Sequence, residues 1–160
     1  MARDGASLAR LAASYELDPA LREDLFQEIC LAIWRALKTW RGESSVRTFV
    51  FRIAHNRAVT HVIKRAGGRT RSLDDLEVEP AAIGRSLEER IDLKLRAERL
   101  QEAIARLPLG HRQVVLMALE GFKMKEVAEI LGITENAVAV RLTKAKKLLR
   151  DQLTSLEKKP

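Results

Sequence analysis

Apolar residues in this 160-residue chain recur at helical rather than strand spacing. In "ELDPALREDLFQEICLAIWRALKTW", Leu21, Leu25, Ile29, Ala32 and Ala36 fall at i, i+4, i+8, i+11 and i+15, which is one face of a helix. Asp18 suits its N-cap and Pro19 its first position, where a missing N–H costs nothing. A shorter helix, about Ser7 to Tyr15, is expected before it. "RGESS" breaks the pattern as a loop. Helix resumes near Val46, with Val50, Ile53, Ala54 and Val62 on the inner face and Arg52, Arg57 and Lys64 pointing elsewhere. From Gly67 to Ile83 periodicity is absent, and the acidic "RSLDDLEVEPAAIG" reads as an extended linker. "SLEE", Ser86 to Glu89, is a capping box opening a helix that carries Leu87, Ile91, Leu95, Leu100 and Ile104 up to Pro108. Further helices are expected over His111–Leu119, Lys123–Leu131 and Glu135–Leu153. The predicted fold is all-α, with two small helical domains joined by a flexible linker: residues 1–66, linker 67–85, and 86–155.

Composition narrows the function classes. Aromatics are 4% of the chain and hydrophobic residues 46%, which suits Leu/Ala/Val-packed helices and not a β-sandwich. No apolar run approaches the ~18 residues of a membrane span, and "MARDGASLARL" lacks a signal-peptide core, so a cytoplasmic protein without direct membrane insertion is expected. One cysteine excludes an internal disulfide, and Cys30, between Ile29 and Leu31, is expected to be a packed thiol. His55, His61 and His111 have no zinc-site spacing and form no constellation with Cys30 or paired carboxylates. Neither an enzyme nor a metal or other cofactor is expected.

Charge adds a second pattern. The net +7 is concentrated in residues 41–71, which carry +7, and in residues 133–160, which carry +4; residues 72–100 between them carry −3. Two basic blocks flanking an acidic middle are footprints for a polyanion, because each neutralised phosphate releases condensed counterions.

The C-terminal block lies on a helix-turn-helix pattern, "EVAEILGITENAVAVRLTKAKKLL". Ala128 is small enough for close helix approach, and Gly132, four residues later, tolerates a left-handed turn. Val138, Leu142, Ala145 and Leu149 then anchor the second helix, with Thr134 as its cap and Glu135 complementing its dipole. The opposite face carries Asn136, Ala139, Val140, Thr143, Lys144 and Lys147, with Arg141 adjoining. In such a motif the start of the second helix meets base edges and its cations hold phosphates. Ala139 and Val140 offer thymine methyl contacts but no bidentate base contact.

The upstream block explains why one DNA-binding motif is not the whole molecule. Glu23, Asp24, Leu25, Gln27 and Glu28, then Trp40, Arg41 and Gly42, then Thr48, Phe49, Arg52, Ile53, Ala54 and Asn56 resemble region 2 of the extracytoplasmic-function (ECF) group of sigma-70 factors. Here Trp40 replaces a family Phe and Phe49 a family Trp. "LPLGHRQVVLMALEGFKMKEVAEILG" with the helix after it resembles region 4 of the same family. Both resemblances run in the family's order.

The resemblance implies a subunit that brings bacterial core RNA polymerase to promoter DNA, with region 4 on the −35 element and region 2 melting the −10 element. It implies a −10 surface of Trp40, Arg41, Arg47, Phe49, Arg52, Asn56, Arg57 and Thr60, cations and unstacked-base platforms of the kind single-strand binding needs. Plain core packing is the alternative for Trp40 and Phe49. Asp24, Gln27 and Glu28 would dock on the polymerase β′ clamp helices, region 4 would meet the β flap, and an anti-sigma factor would cover these surfaces. A sigma-like decoy, or a two-domain regulator acting without polymerase, remains as an alternative.

Overall fold

The computed structural model describes residues 2–67 and 91–157. The expected linker, Gly67 apart, and the Ser86–Glu89 capping box lie outside them. The described elements are α1 (Ala2–Tyr15), α2 (Pro19–Leu37), α3 (Val46–Arg65), α4 (Ile91–Ala105), α5 (Leu109–Leu119), α6 (Met124–Leu131) and α7 (Glu135–Glu157). No strand occurs among the described residues, as the periodicity predicts.

The first half is a three-helix unit. The Asp18 carboxylate accepts from the N–H groups of Ala20 and Leu21, both at 3.0 Å, and Pro19 opens α2. Leu25, Ile29 and Ile33 form the buried stripe of α2. Cys30 lies about 100° round the helix from Ile29 and is exposed, so the packed-thiol expectation fails. Helix α1 begins earlier than expected and packs Leu8, Leu11 and Tyr15 inward. On α3 the buried apolar residues are Phe51, Ala54, Ala58 and Val62, with Thr48 and His55 buried beside them; Val50 and Ile53 are only half-buried. The sequence pattern missed Phe51, whose burial contributes about 1.5–3 kcal/mol.

A buried polar network pins the end of α3 to the α1–α2 turn. The Glu16 carboxylate lies 2.9 Å from His61 Nε2, accepts the Asp18 N–H at 3.0 Å, and is bridged by Arg65. Burial pushes this carboxyl up, but His61, the Asp18 N–H and Arg65 outweigh it and hold Glu16 below the ordinary range.

The second half is built around a buried cation. Arg112 on α5 is wholly inaccessible, and its Nη2 donates to the carbonyls of Ala105 and Leu107, the latter at 3.0 Å. The Ala105 carbonyl ends α4, where helical partners run out, and that of Leu107 lies in the turn after it. Arg112 therefore closes the α4–α5 corner at Pro108.

The two halves are not separate beads. Their buried residues form one continuous apolar cluster, from Leu25 and Phe51 through Phe122 to Val127, Val138 and Ala145. The rings of Phe51 and Phe122 meet edge to face, with centroids 4.9 Å apart. From the other half, the Arg112 guanidinium lies 5.5 Å from the Tyr15 ring centroid.

Candidate nucleic-acid interface

Helix α7 is positioned by the turn before it. Gly132 adopts φ 67°, and the N–H of Ile133 reaches back to Ala128 O at 3.1 Å, so the chain leaves α6 through a left-handed residue. Thr134 Oγ1 accepts the Ala137 N–H at 3.1 Å and caps the new helix. At the other end of α6, Glu126 accepts the Lys123 N–H at 2.8 Å. Val138 and Ala145 are buried, with Leu142 and Leu149 half-buried beside them. That fixes the outer face: Asn136, Val140, Thr143, Lys144 and Lys147 are exposed on it, and Ala139 and Arg141 sit half-buried at its flanks. Thr143 donates its hydroxyl to Ala139 O at 2.9 Å.

The upstream cluster is divided between a loop and one helix. Ser45 caps α3 by accepting the Thr48 N–H at 3.1 Å. In the loop before it, Trp40 Nε1 donates to Ser44 O at 3.2 Å, while the ring remains exposed, which disfavours core packing for this residue. Gly42 turns the loop with φ 79°, and Arg41 is exposed next to it. On α3, Phe49, Arg52, Asn56 and Thr60 fall at i, i+3, i+7 and i+11 and so share a stripe, with Arg57 beside it. Asn56, Arg57 and Thr60 are exposed; Phe49 and Arg52 are half-buried.

Two of the expected cations face the other half of the protein. Arg47 Nη2 donates to the backbone carbonyl of Glu120 at 2.6 Å, and its guanidinium lies 4.2 Å from the Phe122 ring centroid. Arg52 pairs with Glu129 on α6 at 3.2 Å. Arg10 grips the Glu120 carboxylate with two bonds, at 2.9 and 3.0 Å. Burial pushes the Glu120 carboxyl up, but hydrogen bonds from Arg10 and Ser7 and the Arg10 and Arg47 charges hold it below its ordinary value.

A third surface runs along the outside of α2. Asp24, Gln27 and Glu28 are exposed there, with Gln27 Nε2 donating to Glu23 at 3.2 Å. Leu31 and Trp34 continue this stripe at i+4 and i+7 from Gln27, and the Trp34 side chain is 61% exposed beneath Lys38 Nζ at 4.2 Å from the ring. Sequence reasoning passed over Trp34 and took Leu31 only as a packed neighbour of Cys30. Their signal was phase: they are apolar residues out of step with Leu25, Ile29 and Ile33. Among the described residues no cluster of His, Cys, Asp and Glu could hold a metal, and no helix is long and apolar enough to cross a membrane.

Comparison with known proteins gives the same two units. The family model for sigma-70 region 2 matches residues 2–68, and that for sigma-70 region 4 matches residues 97–149. The chain is 28% identical to RNA polymerase sigma factor SigV of Bacillus subtilis over 146 residues, covering 91% of this chain and 83% of that protein. It is also 28% identical to the ECF RNA polymerase sigma-E factor of Escherichia coli over 143 residues, covering 83% and 74%. Among solved structures, the sigma factor RpoE of Bartonella quintana, in complex with the anti-sigma factor NepR, superposes with a TM-score of 0.72 at 21% identity, over 94% of this chain and 91% of that one. With one region matched on each helical half, and in the order the family has them, the chain belongs to the sigma-70 family, among its ECF RNA polymerase sigma factors.

Proposed function

We propose a division of labour within this sigma factor. The outer face of α7, led by Asn136, Val140 and Thr143 and flanked by Lys144 and Lys147, enters the major groove of the −35 element. The Trp40 loop and the α3 stripe hold the melted −10 strand: the exposed indole offers a stacking surface, Asn56 a base-edge contact, and Arg41, Arg57 and Arg52 bind phosphate. Asp24, Gln27 and Glu28, extended by the apolar pair Leu31 and Trp34, dock on the β′ clamp helices, and region 4 docks on the β flap. An anti-sigma partner covers some of these surfaces. The RpoE relative is described with such a partner, which supports this part of the reading.

The observation that carries the proposal is the loop geometry at Trp40. Its indole N–H is satisfied by Ser44 within the loop, so the ring's faces stay available to a base. Run-off transcription with core polymerase over a genomic promoter library tests the assignment. Transcripts that depend on this chain, and thymines in the −10 segment reactive to permanganate, are expected. Core binding without transcripts would mean a decoy, and tight specific duplex binding without polymerase would mean an independent regulator.

A further inference from the structure

We infer that Val140 is a specificity-determining residue of the −35 contact, and that it reads the 5-methyl group of a pyrimidine in the major groove. The inference rests on the proposed placement of α7 in that groove and names what the helix reads there.

The opening turns of a recognition helix meet base edges, and those of α7 offer little for hydrogen bonding. Over residues 135–141 Asn136 alone carries both a donor and an acceptor, which suits the N6 and N7 atoms of adenine. Glu135 can only accept, and Arg141 sits half-buried at the flank. Val140 stands one turn beyond Asn136 on the outer face and is 46% exposed. Ala139 beside it adds a second methyl group. Thr143 gives its hydroxyl hydrogen to Ala139 O at 2.9 Å and so keeps no donor for a base. The buried seam of α7 runs through Val138 and Ala145, which leaves the Val140 side chain facing solvent.

Valine suits such a contact. Its branched side chain holds one χ1 rotamer in a helix in about 90% of cases, so little side-chain entropy is lost on docking. The C5-methyl is the major-groove feature an aliphatic group recognises, and among the four ordinary bases only thymine carries it. A rise of about 1.5 Å per residue puts Val140 about 6 Å past Asn136. That is roughly two base-pair steps of about 3.4 Å. The −35 element therefore pairs an adenine with a thymine methyl about two positions away. Cytosine methylated at C5 presents the same group at the same place, so the contact also accepts 5-methylcytosine in preference to cytosine.

The test uses holoenzyme assembled from the full chain, on a promoter recovered by run-off transcription. Anisotropy of labelled duplexes reads affinity. Each −35 thymine is replaced singly by deoxyuridine, which removes the methyl and nothing else. The wild type is expected to lose about fourfold at one or two positions, the effect of unburying one methyl group. Val140→Ala holoenzyme, weaker on the thymine duplex, should lose nothing further at that position. Placing 5-methylcytosine there should bind the wild type about fourfold more tightly than cytosine, and Val140→Ala equally. Val140 is exposed and alanine is the stronger helix former, so this variant folds. No loss at any −35 uracil in the wild type overturns the inference, as does an equal loss in both proteins. Lys144→Ala separates this from the reading beneath it. A reduced salt slope without a uracil effect would remove methyl reading and keep α7 in the groove. An unchanged slope, with Val140→Ala binding as the wild type does, would remove that placement and the inference with it.

Discussion

The Tyr15 hydroxyl and Nδ1 of His55 lie 2.9 Å apart in a site closed to solvent, and their rings meet edge to face at 5.7 Å. His55 Nε2 has no hydrogen-bond partner. Burial lowers the His55 pKa to about 3, so the folded protein carries this ring neutral.

A pH dependence of stability follows. The unfolded chain protonates His55 below its ordinary value of 6.5, while the folded chain does so only near 3. Between these values the unfolded state binds more protons, so stability is full above pH 6.5 and falls as pH drops toward 3. The slope is at most about 1.4 kcal/mol per pH unit. His55→Gln, which keeps an acceptor for Tyr15 but cannot titrate, should flatten the profile between pH 6.5 and 5 in urea denaturation. An unchanged profile would place the titration elsewhere.

Replacing Gly132 by Ala should cost roughly 1–2 kcal/mol, because the strain of a left-handed residue falls on the backbone. A Cβ there meets nothing within 4 Å, so no clash adds to it. Thermal unfolding monitored by circular dichroism should show a loss of several degrees, and α7 should lose duplex affinity as its angle to α6 relaxes.

Lys144 is exposed on the outer face of α7 and outside the apolar seam. Lys144→Ala should leave stability unchanged and reduce the slope of log affinity against log salt by about 0.9, the share of one phosphate. The measurement is −35 duplex binding by the holoenzyme at several salt concentrations.

Trp34 stands far out of the surface of α2, so Trp34→Ala should spare the fold. Its affinity for core polymerase should drop roughly tenfold, about 1.4 kcal/mol, as the loss of an aromatic interface anchor does. Titration of labelled core polymerase with Trp34→Ala and Gln27→Ala would locate the docking face; equal affinity for both variants and wild type would move it off α2.

Much of this was legible in the residues, for identifiable reasons. Asp18–Pro19, Gly132 and Thr134 act through local backbone geometry, so their roles as cap, turn and cap are written in a few neighbouring positions. The anchors Val138 and Ala145 follow from spacing alone. Phe51, Cys30 and Trp34 were misread or passed over because apolar runs on α2 and α3 contain more hydrophobic residues than one stripe can hold, and only tertiary packing decides the phase. Arg47 and Arg52 show the same limit for charge. Their partners, Glu120 and Glu129, are 73 and 77 positions away, beyond the reach of any local pattern.

The outward position of Cys30 gives the native chain a built-in reporter. Partial burial, and then the nearby Glu23 carboxylate, push its thiol up, so near neutrality it is mostly protonated and resists adventitious oxidation. It adjoins Gln27 and Trp34, at i−3 and i+4, on the edge of the α2 stripe proposed to meet the clamp. A maleimide dye at this position would report assembly with polymerase without any engineered residue, and the rate of alkylation would serve as a clock for how long that helix stays uncovered.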